Sequence, residues 1–153
     1  MNIHELSTKE VGERAKSLVA AKVAELGAAT EMPKGKKNIV LAKPRNGNRT
    51  LLIRVKSRRS GDWQIPTTEG RSPEEIVDER EFWVLVDFTV YPDNPDYYIM
   101  SGNWLRRNIY EDHQNYLLSH GGNRPITPKS THHRVTLDSV EVWKNRWDIL
   151  GLA

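Results

Sequence analysis

KKNIVLAKPRNGNRTLLIRVKSRR, residues 36–59, is the stretch that decides the fold of this chain. Within it, residues 39–42 form a continuous apolar run, which is typical of a strand buried on both faces. Residues 44–48 supply proline, asparagine and glycine, which favour a tight turn. Residues 50–56 then follow the two-residue period of a second strand. The stretch therefore predicts a β-hairpin.

The predicted second strand presents two different faces. Because successive side chains of a strand point in opposite directions, apolar Leu51, Ile53 and Val55 share one face. The other face carries Leu52, Arg54 and Lys56. The second strand thus carries a basic pair among apolar residues.

The rest of the chain predicts helices and strands around the hairpin. Ser7 and Glu10 fit a capping box that begins a helix over residues 8–26, and Gly27 ends it. Further strands are predicted at residues 28–32, 82–90 and 97–100. Helical segments are predicted at residues 74–79, 104–118 and 138–150, and loops at residues 57–73 and 123–134.

This order of elements predicts the fold class. It indicates a single α/β domain over residues 1–153, with a mixed central β-sheet flanked by helices. The length suffices for one domain with a hydrophobic core. The apolar content of 37% and charged content of 28% are those of an ordinary globular protein.

Composition excludes several classes of function. The chain contains no cysteine, which rules out disulfides, thiolate metal sites and thiol nucleophiles. No apolar run approaches the roughly 20 residues needed to cross a bilayer, so we expect no membrane partner. The N-terminal residues lack the basic and then apolar layout of a signal peptide. A cytoplasmic protein is the simplest expectation.

The net charge of +3 conceals a strong asymmetry along the chain. Residues 32–61 contain ten basic residues and no acid, while the remainder holds 13 basic and 20 acidic residues. A basic block attracts an anionic partner, and the usual one is a phosphate backbone. The alternative is a solvated hairpin whose cations protect an edge strand. The block consists of Lys34, Lys36, Lys37, Lys43, Arg45, Arg49, Arg54, Lys56, Arg58 and Arg59.

Six segments together resemble the PD-(D/E)XK nuclease superfamily, whose members share the restriction-endonuclease-like fold. They cover nearly the whole chain. In order they are AKSLVAAKVAELG (15–27), NIVLAKPRNGNRTLLIRVKS (38–57), GDW (61–63), FWVLVDF (82–88), PDYYIM (95–100) and WDILGL (147–152). The resemblance is to small bacterial members, and it implies a nucleic-acid partner, DNA in the first place.

The motif of this superfamily lies on the hairpin. It places an acid near the start of the first strand and acid-x-Lys on the second. Two carboxylates there hold Mg²⁺, which polarises the scissile phosphate and lowers the pKa of a bound water. The resemblance maps the motif lysine onto Lys56 and the acid positions onto Asn38 and Arg54. The helix glutamate of related members aligns with Lys16, one turn after Glu13.

The residues at the acid positions favour an anion over a metal ion. Asn38 and Arg54 replace two negative charges by one positive charge. A divalent cation about 4 Å from Arg54 would be repelled by roughly 2 kcal/mol in bulk water and by more in a cleft. We therefore predict that Asn38, Arg54 and Lys56 form a metal-free phosphate site. The protein is then a nucleic-acid-binding protein on a degenerate nuclease scaffold, catalytically weak or inactive, with no cofactor.

The predicted nucleic-acid contacts extend along the basic block. They are Lys34, Lys36, Lys37, Arg45, Arg49, Arg54, Lys56, Arg58, Arg59 and Trp63. Trp63 is included because an aromatic side chain beside basic residues is suited to stacking on a base.

Three alternatives stay open at this point. An active Mg²⁺-dependent endonuclease would need relocated metal ligands. The nearest candidates for these are Glu13, Glu31 and Asp62. A protein-interaction module on the same scaffold would depend on neither Arg54 nor Lys56. In a purely structural interpretation, Lys56 extends from a strand end into solvent and Arg54 pairs with a core acid such as Asp87.

Overall fold

A computed structural model describes residues 2–36, 38–45, 47, 49–72, 74–75, 78–119, 121 and 132–152, apart from the side chain of His132. In these residues the helices are α1 (Thr8–Glu25), α2 (Gly102–Ser119) and α3 (Leu137–Val140). The strands are β1 (Ala29–Glu31), β2 (Ile39–Lys43), β3 (Leu51–Arg58), β4 (Trp63–Pro66), β5 (Glu81–Asp87), β6 (Asp96–Ser101) and β7 (His132–Val135). Short 3₁₀ helices span Ile3–Glu5, Thr67–Glu69, Glu141–Trp143 and Trp147–Leu150.

Five strands form a mixed sheet in the order β1-β2-β3-β5-β6. β3 and β5 are parallel, and the other neighbours are antiparallel. The buried side chains of α1 pack on one face of this sheet, and those of α2 pack on the other. The predicted fold class, α/β with a mixed central sheet flanked by helices, is confirmed.

The helix α1 begins as its sequence predicts. The Ser7 hydroxyl accepts a hydrogen bond from the Glu10 N–H at 3.1 Å, and the Glu10 carboxylate accepts one from the Ser7 N–H at 3.0 Å. This reciprocal capping box satisfies two backbone donors at the helix start. The buried stripe of α1 includes Val11, Ala15 and Val19, spaced so that one face of the helix meets the sheet.

The hairpin is also confirmed. β2 and β3 pair antiparallel, with Val40 opposite Ile53 and Ala42 opposite Leu51. Burial alternates along β3, so Leu51, Ile53 and Val55, which share one face, lie in the core beneath α1. The connection spans residues 44–50 and is longer than the predicted turn. Its described part contains a hydrogen bond of 3.3 Å from the Gly47 N–H to the Pro44 carbonyl.

Two segments predicted to be loops contain strands. β4 lies within residues 57–73, and β7 begins within residues 123–134, of which 123–131 are outside the described residues. The two strands pair antiparallel, with Trp63 opposite Val135. Each is short and has a partner far away along the chain, so neither carries a local signal strong enough to predict it.

The other corrections concern helices. The described residues of the predicted turn at 74–79 are not helical. The C-terminal segment is not one helix, because α3 is followed by two separate 3₁₀ helices. Between them, Asn145 has a left-handed φ of 57°, and its N–H donates to the Tyr97 carbonyl at 2.8 Å. Pairing with the outer edge of β6 therefore interrupts the helix.

Candidate functional site

The sheet topology brings several chain segments to one end of the main sheet. β3 and β5 run parallel, with Ser57 opposite Val86, so both finish at this end. β2 runs antiparallel to β3 and begins here, directly after Asn38. The first turns of α1 line the same region. We term it the cleft end; the connection at residues 44–50 lies at the opposite end of the sheet.

A cleft of about 410 Å³ opens at the cleft end between α1 and the end of β3. Its lining combines cations, neutral hydrogen-bonding groups and one carboxylate. The lining residues are Thr8, Lys9, Gly12, Glu13, Lys16, Asn38, Val55, Lys56 and Ser57. Three lysines against one glutamate give a formal charge of +2. A cleft of this composition is suited to an anion that accepts several hydrogen bonds.

Asn38 faces α1 in this cleft. Its φ of 66° is left-handed, a conformation that asparagine adopts more readily than most residues. The backbone carbonyl of Asn38 accepts a hydrogen bond from the Val55 N–H at 2.7 Å. Its side-chain oxygen would lie 4.0 Å from a Cβ atom placed on Gly12. The absence of a side chain at residue 12 therefore leaves room between the helix and Asn38.

Lys56 borders the cleft although strand alternation directs it to the other face of the sheet. The pairing of β2 with β3 begins at Ile39 opposite Arg54. Beyond Val55, β3 has no strand on that side within the described part of the chain. A long, flexible side chain leaving Lys56 thus has access to the cleft around an uncovered strand edge.

Arg54 lies on the opposite face from Asn38 and does not line the cleft. Its Nε donates to Glu81 Oε2 at 3.3 Å, and its guanidinium lies 5.7 Å from the centroid of the Trp83 ring. The predicted cluster is therefore split: Asn38 and Lys56 share a site that excludes Arg54. The structural interpretation of Arg54, pairing with a core acid, describes its contact, but the acid is Glu81 and not Asp87.

Glu81 is the centre of a buried ionic network on the α2 side of the sheet. Arg106 binds it bidentately, with Nε at 2.7 Å and Nη2 at 2.9 Å, and also pairs with Glu69. Trp83 Nε1 donates to the same carboxylate at 3.1 Å. Burial raises the pKa of Glu81, but the hydrogen bonds and charge of Arg106, with help from Trp83 and Arg54, hold it below its usual range. The network keeps Glu81 ionised in a largely apolar setting.

The side chains of Arg58 and Trp63 make their contacts inside the protein. The Arg58 Nη2 atom donates to Asp87 at 2.7 Å, and its guanidinium lies 4.3 Å from the centroid of the Trp63 ring. Trp63 has no exposed surface, and its indole N–H donates to the Val86 carbonyl at 3.1 Å. The expectation that Trp63 stacks on a base is therefore wrong, because β4 places the ring in the core.

The basic block is distributed over both ends of the sheet. Lys34 and Lys36 are exposed in the segment that leads into β2 at the cleft end. Arg45 and Arg49 are exposed at the opposite end, on the connection after β2. Arg59 donates to the carbonyls of Ile3 and Leu6, which ties the N-terminal segment to the end of β3. Lys37 lies outside the described residues. One phosphate site cannot use the whole block, because β2 and β3 separate its parts by the length of the sheet.

The three candidates for relocated metal ligands do not converge. Glu13 lines the cleft, but Glu31 is exposed on the edge strand β1, and Asp62 lies 4.0 Å from Arg58. No group of three or more histidine, aspartate or glutamate residues that could hold a metal ion occurs among the described residues. The cleft therefore offers one carboxylate, where the motif requires two.

Two cationic lining residues, Lys9 and Lys16, were not predicted as nucleic-acid contacts. They lie seven residues apart with Gly12 and Glu13 between them, so they share one face of α1. This helical spacing is visible in the sequence. What the sequence does not show is that this face of α1 turns towards Asn38 and the end of β3.

Comparison with known proteins bears on the scaffold. No protein-family model and no curated protein matches the sequence. Among solved structures, the chain is similar to a bacterial homing endonuclease, I-Ssp6803I, with a TM-score of 0.50 and 14% sequence identity over 95% of each chain. At this identity the likeness shows the fold alone, which this chain shares with that endonuclease.

Within the described part of the chain, none of the helices combines the length and apolar character that a membrane span requires.

Proposed function

We propose that this protein binds nucleic acid, DNA in the first place, by holding a backbone phosphate in the cleft between α1 and β3. The observation that carries the proposal is the composition of the cleft, in which Lys9, Lys16 and Lys56 outnumber the single carboxylate of Glu13. The N-terminal turn of α1 adds partial positive charge beside Thr8. Asn38 and Ser57 supply neutral hydrogen-bonding groups to the same space.

The proposed scaffold is a PD-(D/E)XK-type domain whose metal site has become a phosphate site. The similarity to a protein described as a homing endonuclease supports the nuclease-type fold. Asn38 and Lys56, onto which the resemblance maps two motif positions, both border the cleft, and this supports the proposal. Its formal charge of +2 disfavours a divalent cation and favours a phosphate, and each phosphate neutralised releases condensed counterions.

Binding of labelled DNA by fluorescence anisotropy, over a series of salt concentrations without Mg²⁺, tests this proposal. We expect affinity to fall steeply with salt, as it does when lysines neutralise phosphates. Lys16→Ala and Lys56→Ala should each weaken binding and lower the log–log salt slope by about one. Arg49→Ala removes the same charge at the opposite end of the sheet and is the matched control. Salt-independent binding, or equal losses in all three variants, would refute the cleft as the phosphate site.

A Mg²⁺-dependent endonuclease is the second candidate, and the position of Glu13 favours it. Glu13 lies in the same cleft as Asn38 and Lys56, so one carboxylate and one amide oxygen are available to a metal ion. A second protein carboxylate is missing there, so the donor set does not fit the two-carboxylate site of the motif. Mg²⁺-dependent DNA cleavage that is lost in Glu13→Gln and in Lys56→Ala would establish this candidate in place of the first.

A further inference from the structure

The loop between β5 and β6 carries an exposed apolar tip. Val90 and Tyr91 are adjacent, and each is 62% exposed. Among the phenylalanine, tyrosine and tryptophan residues that the structure describes, Tyr91 is the one whose side chain is largely exposed to solvent. An exposed aromatic ring beside an exposed valine offers a flat apolar surface on which another ring can stack.

The base of this loop is held firmly. Asp87 accepts hydrogen bonds from the Thr89 N–H and hydroxyl at 2.9 and 2.6 Å, and it also pairs with Arg58. The Phe88 N–H donates to the Arg58 carbonyl at 2.9 Å, and the Phe88 ring is fully buried. These contacts connect the loop to the end of β3. The tip is thus presented from a fixed base and projects beyond the sheet.

The tip lies at the same end of the sheet as the cleft. Ser57, which lines the cleft, is paired with Val86, and the chain continues from Val86 to Tyr91 beyond the sheet. Five residues of extended chain span at most about 17 Å, and neighbouring strands are about 4.8 Å apart. A nucleic-acid strand whose phosphate lies in the cleft is therefore able to reach Tyr91 within a few nucleotides.

The charge of the loop selects which part of a nucleic acid it contacts. Asp93 is exposed two residues after Tyr91, and the described residues of the loop, 88–95, include no lysine or arginine. A phosphate would be repelled there. The flat face of a base is not, because stacking on an aromatic ring needs no counter-charge.

We propose that Tyr91, supported by Val90, stacks on an unpaired base of the nucleic acid whose backbone is held in the cleft. This inference rests on the proposed function and names its preferred partner: a strand with accessible bases, such as single-stranded or locally opened DNA. The cleft supplies the salt-dependent part of the affinity, and the loop tip supplies a part that depends on the presence of bases.

Two labelled oligonucleotides of equal length test the proposal: oligothymidylate, and the same backbone with abasic sites in place of the bases. The phosphates are identical, so only stacking distinguishes them. We expect Tyr91→Ala to bind oligothymidylate about tenfold more weakly than the wild type, and to bind the abasic strand equally well. Tyr91→Phe should retain most of the wild-type affinity for oligothymidylate. Val90→Ala should lose affinity severalfold, whereas Val142→Ala, at a 67% exposed valine beside β6, should not.

The outcomes separate this inference from the function on which it rests. Equal affinity of wild type and Tyr91→Ala for oligothymidylate, with the salt slope intact, overturns the stacking role and leaves the phosphate cleft standing. If Tyr91→Ala loses the same affinity for oligothymidylate and for the abasic strand, the stacking role is also overturned, because the effect of Tyr91 would then not depend on bases. If the wild type binds neither strand, both proposals are refuted.

Discussion

The Nε atom of Arg54 donates to Oε2 of Glu81 at 3.3 Å, on the face of the sheet that α2 covers. The resemblance to the PD-(D/E)XK superfamily maps the second motif acid onto Arg54. Its charge is directed towards a buried carboxylate and away from the cleft that Asn38 and Lys56 border. Arg54 therefore forms an internal ion pair, and the positive charge of the cleft comes from its lysines.

Arg54→Ala should affect stability more than binding. Removing one charge-assisted hydrogen bond to Glu81 is expected to lower the free energy of unfolding by about 1–2 kcal/mol, since Arg106 still neutralises the carboxylate. DNA affinity should change by less than about twofold, because the cleft charge is unaltered. Urea unfolding measures the change in the free energy of unfolding, and fluorescence anisotropy on the same preparation measures the change in DNA affinity. An affinity loss as large as that of Lys56→Ala would show that Arg54 reaches the phosphate.

Glu81→Gln should destabilise the protein strongly at neutral pH. It leaves the buried Arg106 without its bidentate partner, which typically costs about 3–5 kcal/mol. Because the pKa of Glu81 in the folded protein lies below its usual 4.5, this carboxylate stabilises the fold fully above about pH 4.5. Its contribution is lost as the pH falls through the lowered folded-state pKa.

Urea midpoints measured from neutral to acid pH test this linkage. The difference in urea midpoint between the wild type and Glu81→Gln should be constant around neutral pH and should become smaller in acid. Glu79→Gln changes an exposed carboxylate two residues earlier and serves as the control. A gap that is equally wide at every pH would contradict the assigned role of Glu81.

Gly102→Ala should be destabilising for steric reasons. A Cβ atom on Gly102, the first residue of α2, would lie 2.8 Å from Glu81 Cγ and still closer to a carboxylate oxygen. Relieving that overlap must move the carboxylate held by Arg106 and should cost about 1–3 kcal/mol. Gly12→Ala is the matched change, since its Cβ would meet nothing closer than 4.0 Å. In the middle of α1 it should instead stabilise by about 0.5–1 kcal/mol. Thermal unfolding should therefore give a lower melting temperature than the wild type for Gly102→Ala and a higher one for Gly12→Ala.

Glu13→Gln separates the two candidate functions. In a phosphate site, removal of the one carboxylate raises the cleft charge, so DNA affinity without Mg²⁺ should increase by about fivefold at low salt. In a metal-dependent nuclease, the same change removes the single protein carboxylate available to the ion and should abolish cleavage. Anisotropy and a cleavage assay with Mg²⁺, run in parallel, distinguish these results. Weaker binding together with lost cleavage would favour the nuclease.

Elements defined by short-range contacts were predictable from the sequence. The capping box of Ser7 and Glu10 involves residues three apart and correctly locates the start of α1. The alternation along β3 correctly sorts its side chains onto two faces. In both cases the decisive hydrogen bonds or periodicities lie within one element, so neighbouring residues suffice to specify them.

Elements defined by distant partners were not predictable. Trp63 follows basic residues in the sequence and looks available to a base, but pairing of β4 with β7 buries it opposite Val135. The C-terminal segment has helical spacing, but the N–H of Asn145 is bound by the edge of β6. In each case the contact that stabilises the observed structure is made with a residue far away along the chain.

The candidate site shows the same division. The sequence by itself determined that a basic hairpin with Lys56 exists and that an N-terminal helix precedes it. Only the tertiary structure decided that Arg54 is directed to Glu81, that Lys9 and Lys16 join Asn38 in one cleft, and that Tyr91 projects at the same end. Charge and periodicity are properties of neighbouring residues, whereas the face on which a side chain is neutralised depends on which strands and helices pack against it.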